Sequence, residues 1–158
     1  MEYILGLDGG GTKTDCCIFS KDGALLSAVT GPATNHEKYT GGFDEMTSVF
    51  EDIHNSALEK AGITTGELAA CVYGMAGIDI PSQKKRMEDY LDKAGHKNYL
   101  VINDSFLGVK AACPGGYGIC FVNGTGNSVG GIDRYGNWLQ VGGTGVCFGD
   151  LNGAAGMS

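Results

Sequence analysis

The chain has 158 residues, 42% of them hydrophobic and 18% charged, which supports a packed core and excludes a disordered chain. Its net charge of −7 argues against nucleic acid as the main partner, because neutralising phosphates needs a basic face. Glycine is the outlier at 28 residues, yet there is no Gly-X-Y period and only three prolines, which excludes collagen and proline-rich disorder.

The opening MEYILGLDGG has an acid where a secretory signal carries a basic region, and its apolar run is broken at once by glycine and aspartate. No stretch approaches the roughly 20 apolar residues of a membrane span. The six cysteines show no CxxC or Cys/His ligand spacing. They read as reduced thiols of a cytoplasmic protein, several of them in apolar, strand-like runs.

In chain order, Glu2–Asp8 reads as a strand, 9–11 as a turn, and Thr14–Ser20 and Leu25–Thr30 as two more strands joined by a Lys21-Asp22-Gly23 hairpin. The segment 42–61 has apolar residues at helical spacing (Phe43, Met46, Val49, Phe50, Ile53, Ala57, Leu58) and stops at Gly62. Leu68–Tyr73 follows as a buried strand, and a helix runs from Pro81 to Ala94 with Gly95 as its stop. Tyr99–Ile102 is a strand and Asp104–Ala112 a short helix. A three-strand meander followed by alternating helices and strands predicts an α/β fold, a mixed sheet covered on both faces. That order resembles the layout of the ribonuclease-H-like lobe shared by hexokinases, actin and Hsp70-type chaperones. After Pro114 the pattern restarts, with strands at 117–122, 128–132 and 138–141. This predicts a first lobe over 1–113 and the start of a second, similar lobe over 114–158, cut short of typical domain size.

The turn Gly9-Gly10-Gly11-Thr12-Lys13 joins two strands, so it is neither a Walker loop nor a dinucleotide fingerprint. It reads either as ordinary hairpin chemistry or as a bare tip whose N–H groups face an anion, with hydroxyls from Thr12 and Thr14 and a cation from Lys13. Asp8 repels phosphate by itself and fits a hydrated Mg²⁺. Gly124-Thr125-Gly126 repeats the pattern, and two like turns can clamp a triphosphate from both sides. Asp104, between a buried strand and a helix, reads either as a helix N-cap or as a general base at strand C-terminal ends. Asn35-His36 lies in a polar stretch, readable as loop structure or as recognition of a sugar hydroxyl. His36 reads as structural, and Trp138 as core or lobe-interface packing.

Together GLDGGGTKTD, the TNH loop, GMAGID, NDS, NGTGN and GGTG…FGD resemble, in order, the N-acetylglucosamine kinase branch of the BadF/BadG/BcrA/BcrD ATPase family, within the actin-like ATPase superfamily. The resemblance implies an ATP- and Mg²⁺-dependent kinase acting on the 6-hydroxyl of an amino sugar. It implies that Asp8 through Thr12 and Gly124, Thr125 and Gly126 bind phosphate, and that Asp104 is the catalytic base. Asn35 would be a sugar ligand, with Gly143, Gly145 and Asp150 in a segment closing over the sugar. Gly74, Ala76 and Gly77 match a connecting segment near the hinge. Its partners would be ATP and a small amino sugar, with no nucleic acid and no membrane; a homodimer is compatible with the pattern.

Several positions depart from the family pattern. Glu37 and Thr144 stand where aromatic residues are usual, Leu151-Asn152-Gly153 replaces Glu-Gly-Ser, and Asn127-Ser128 inverts Ser-Asn. Less bulk around the pocket admits a larger sugar such as N-acetylmuramic acid. Two other readings compete. One is an iron–sulfur activator ATPase of 2-hydroxyacyl-CoA dehydratases, for which Cys113 is the sole candidate ligand. The other is a non-catalytic sugar-responsive regulator. The 158 residues by themselves are expected to be inactive, with the adenosine site lying outside them.

Overall fold

In a computed structural model, which describes residues 3–124 and 126–143, the chain builds two sheets joined by one helix. The first sheet has five strands: β1 (Tyr3–Gly9), β2 (Lys13–Ser20), β3 (Leu25–Pro32), β4 (Leu68–Met75) and β5 (Tyr99–Ile102), in the order β3-β2-β1-β4-β5. β1 and β2 pair antiparallel from Tyr3↔Ser20 to Gly9↔Thr14, so the triple glycine is a hairpin tip. β4 and β5 then add in parallel beside β1. Their parallel direction follows from the intervening helices α1 (Phe43–Ala61) and α2 (Pro81–Lys93), since parallel neighbours need a crossover. All three parallel strands therefore end on one side, at Gly9, Met75 and Ile102.

Alternation along the strands sorts their side chains between two clusters. Tyr73 and Val101 join Leu5, Leu7, Cys16 and Ile18 in the larger core, against Met46, Phe50 and Ala57 of α1 and Met87 and Leu91 of α2. Val72 and Ile102 point the other way, to Phe106, Leu107 and Val109 of α3 (Asp104–Ala112). Both faces are thus covered, as the sequence predicts. α1 stops at Gly62, whose φ of 70° lets its N–H return to the Glu59 carbonyl. The helix begins one residue later than its sequence signal, because Gly42 is spent as N-cap.

The second sheet is antiparallel, β6 (Gly118–Asn123), β7 (Asn127–Ile132) and β8 (Trp138–Gly142), in that order. One face meets α3 through Ile132 and Cys120, and Trp138 packs against Phe106, tilted at 51° with 4.7 Å between ring centres. The opposite face carries Ile119, Phe121, Leu139 and Val141, which are 78, 58, 68 and 58% exposed. Register makes this one apolar surface, since Phe121 pairs with Val129 and Val129 with Val141.

The five described cysteines are free thiols; burial pushes Cys16 up to about 12 and keeps it inert. Among the described residues no helix is long and apolar enough to cross a membrane. Burial lowers His54 to about 4 and depresses His96 as well. A histidine depressed in the folded state leaves the unfolded chain binding more protons, so stability is present above about pH 6.5 and is lost towards pH 4. The loss from His54 is on the order of 3 kcal/mol. Urea denaturation in chelator from pH 7 to 4 should show that decline, and His54→Leu should flatten it; equal slopes would refute the assignment.

Candidate functional site

A cleft of ≈ 540 Å³ opens where the parallel strands of the first sheet end and the second sheet begins. Such ends gather ligands because helix N-termini and loop amides converge there. From the first hairpin the cleft takes Asp8, Gly10, Gly11, Thr12 and Lys13; from the second, Gly124, Gly126, Asn127 and Ser128. Asn35, Glu37, Ala76, Gly77, Asp79, Asn103, Asp104 and Gly143 are among its other lining residues. Most of the site residues read from the sequence therefore share one space. Thr125, Gly145 and Asp150 lie outside the described residues, as does the departure at Thr144.

Each glycine turn is closed by a backbone hydrogen bond, over a different span. Gly10 N–H donates to the Lys13 carbonyl at 2.9 Å, and Gly124 N–H donates to the Gly126 carbonyl at 2.9 Å. Those two amides are committed to holding the turns. A Cβ on Gly10 would sit 3.0 Å from the Lys13 carbonyl oxygen, whereas one on Gly124 or Gly126 would meet nothing within 4 Å. Gly9 is required for a different reason, since its Cβ would collide with Thr34 Oγ1 at 2.2 Å. Thr14 is not a phosphate donor, contrary to the sequence expectation: it is fully buried, its hydroxyl 2.9 Å from that of Thr34. As the residue opposite Gly9 in the hairpin, it points into the core. Lys13 faces the cleft but binds Asp15 at 2.6 Å, an exposed pair that solvent weakens.

Asp104 is the first residue of α3, and the cap is Asn103. Asn103 Oδ1 accepts the Ser105 N–H at 3.0 Å and the Ser105 hydroxyl at 2.6 Å. The plain helix-cap reading of Asp104 is thereby corrected; an upstream amide already fills that position and leaves the carboxylate at the cleft. Burial raises Asp104 above the ordinary carboxylate range, the charge of Asp8 raises it further, and the Ser105 and Asp104 amides partly offset this. Asp8 is raised in the same way, by burial and then by Asp15, against Lys13. Two carboxylates that repel one another across a cleft offer hard oxygen ligands, and this fits a hydrated Mg²⁺.

The sequence reading missed Asp79. Its Oδ1 accepts from Asn103 Nδ2 at 3.0 Å and from Gln140 Nε2 at 2.7 Å, tying the α3 cap to β8. Its only sequence signal was its place after Gly77 in GMAGID, which does not reveal a partner 61 residues away. Asn103→Ala should remove the cap, leave the Ser105 N–H without its acceptor and take one donor from Asp79, which keeps Gln140, lowering stability by about 2 kcal/mol. An unchanged urea midpoint would show that the cap is not needed.

Asn35 Oδ1 accepts the Glu37 N–H at 2.9 Å and caps a 3₁₀ turn, His36–Lys38. Gly77, at φ 79°, passes so close that a Cβ there would lie 2.5 Å from Asn35 Oδ1. His36 stacks on Phe43 at 4.2 Å between ring centres, consistent with a structural role. Cys113 packs in the small cluster below α3, with its Sγ against Gly118.

The sequence matches the BadF/BadG/BcrA/BcrD ATPase family over residues 5–158. It is 30% identical over 151 residues to the N-acetylmuramic acid/N-acetylglucosamine kinase of Clostridium acetobutylicum, covering 95% of this chain and 49% of that protein. It is 27% identical over 167 residues to the N-acetyl-D-glucosamine kinase of Dictyostelium discoideum, with 94% and 49% covered. A solved structure of a candidate N-acetylglucosamine kinase from Chromobacterium violaceum superposes with a TM-score of 0.73 at 24% identity, over 94% of this chain and 51% of that one. The chain thus spans about half the length of the curated relatives it matches. Its fold, a mixed sheet between helices followed by an antiparallel sheet, is shared with that solved structure. A match running from the first strand through the second glycine turn is not confined to one motif, and the chain belongs to the BadF/BadG/BcrA/BcrD ATPase family.

Proposed function

We propose that this chain supplies the first lobe, 1–113, and the opening of the second, 114–158, of a cytoplasmic, two-lobed kinase that transfers the γ-phosphoryl group of ATP to the 6-hydroxyl of an amino sugar. The supporting observation is the convergence of two glycine turns, Asp8 and Asp104 on one cleft at strand ends. The exposed Ile119, Phe121, Leu139 and Val141 face is where the remainder of the second lobe would pack.

Asp104 orients the sugar hydroxyl and accepts its proton as the oxygen attacks phosphorus; the O6–P bond forms, the bond to the β,γ-bridging oxygen breaks, and ADP leaves. A carboxylate raised above its ordinary range is the better proton acceptor. With Gly10 and Gly124 N–H committed to their turns, phosphate contact falls to Gly11 through Lys13 and to the 125–126 segment. Asp8 would hold Mg²⁺ through water, and the ion would neutralise charge on the phosphate oxygens. Asn35 recognises the sugar, its amide oxygen fixed by Glu37 N–H. Gly143, Gly145 and Asp150 close over it. Exposed Glu37 at the cleft, in place of an aromatic ring, leaves room for the larger N-acetylmuramic acid.

The test is phosphoryl transfer from ATP with Mg²⁺ to N-acetylglucosamine, N-acetylmuramic acid, glucose and glycerol. It is run on a protein of the relatives' length bearing these residues, with the 158-residue chain in parallel. Phosphorylation of an amino sugar by the longer protein is expected, and no turnover by the short one. If the longer protein phosphorylates neither amino sugar, the reading fails.

A further inference from the structure

Far from the cleft, the face of α1 turned towards α2 carries Glu51 and His54, three residues apart and so on one side of the helix. They meet His96, which follows the end of α2. One carboxylate oxygen and one nitrogen from each imidazole lie within 4.8 Å of one another. His54 is 0% exposed and His96 6%.

The hydrogen bonding around these groups is incomplete. Among the described residues neither nitrogen of His54 has a partner at hydrogen-bond geometry, although both are buried; only a weaker side-chain interaction with Asn55 reaches the ring. A buried polar atom without a partner forfeits its hydration for nothing and is rare in folded proteins. His96 Nδ1 is 3.0 Å from the Tyr73 hydroxyl, which fixes the ring and leaves Nε2 directed at Glu51. Nε2 stands 3.9 Å from Glu51 Oε1, too far for a hydrogen bond. The same Oε1 takes the Tyr90 hydroxyl at 2.5 Å, which holds the carboxylate in place. Three first ligands, two of them oriented by tyrosines, are the arrangement in which metal-binding histidines and carboxylates are held.

We propose that Glu51, His54 and His96 bind a divalent cation of the zinc class, which clips α1 to the turn after α2. Two imidazoles and a carboxylate select borderline metals over Mg²⁺ and Ca²⁺, which prefer oxygen alone. A carboxylate with two neutral imidazoles carries one negative charge, which the cation offsets. Burial keeps both histidines below their ordinary range and so neutral, the form that coordinates. Glu51 is 30% exposed at its side chain, which gives the ion an entry path and water a fourth position. Small rotations of the three side chains close the set to the roughly 2.0–2.2 Å ligand distances of zinc. The role is structural and independent of the kinase reading.

The experiment uses the 158-residue chain stripped with chelator and titrated with Zn²⁺, together with His54→Gln, His96→Gln and Glu51→Gln. One equivalent should bind, the melting temperature should rise by about 5 °C at saturating zinc, and each variant should lose roughly 100-fold in affinity. X-ray absorption should show nitrogen and oxygen at about 2.0–2.1 Å and no sulfur at about 2.3 Å. If His54→Gln fails to fold, Glu51→Gln, at the more exposed position, decides. Absence of stoichiometric binding, a sulfur shell from the cysteines, or variants that bind like the parent would overturn the site.

Discussion

Replacing Asp104 with asparagine in a protein of the relatives' length should lower kcat by roughly 10²-fold or more, the scale set by a positioned general base. Asparagine keeps the shape and hydrogen-bonding reach of the side chain but cannot accept the proton. The helix itself should be unaffected, because Asn103 caps it. Melting temperature and amino-sugar affinity should therefore stay near the parental values while turnover falls. The charge of Asp8 helps to raise Asp104, so the neutral amide also removes that repulsion within the cleft. Single-turnover kinetics with a sugar-binding titration separates these effects. Near-parental turnover in the folded variant would remove Asp104 from the chemistry.

Gly10→Val should raise the KM for ATP by about 10- to 100-fold, the loss of one or two charge-assisted hydrogen bonds to phosphate. A branched side chain begins 3.0 Å from the carbonyl oxygen that closes the turn, so the hairpin tip must give by a few tenths of an ångström. The segment from Gly11 to Lys13, which lines the cleft, would then shift, and the added side chain would stand between it and the phosphate. The residue is half-buried at the tip, away from the main core, so the fold should survive. Sugar affinity, which the proposed function assigns to Asn35 in another loop, should hold. An unchanged KM for ATP in a folded variant would reduce the triple glycine to turn chemistry.

Local pattern alone determined the elements. Alternation in Leu5, Leu7, Cys16 and Ile18, the helical period from Phe43 to Leu58, and stops at Gly62 and Gly95 specify their own strands and helices, because those signals act within a few residues. The ordered series of glycine turns and short acidic motifs was enough to place the chain in its family. The tertiary structure decided which polar groups remain available. Thr14 looks like a phosphate donor in sequence and is buried beside Thr34, because strand register, not residue type, assigns its face. Asp104 looks like a helix cap until Asn103 is seen to fill that position. Asp79 joins Asn103 and Gln140, and Glu51 and His54 join His96, across separations that no periodicity records. Those contacts exist only once crossovers bring strand ends and helix faces together, since a hydrogen bond or a metal ligand set depends on distance in space.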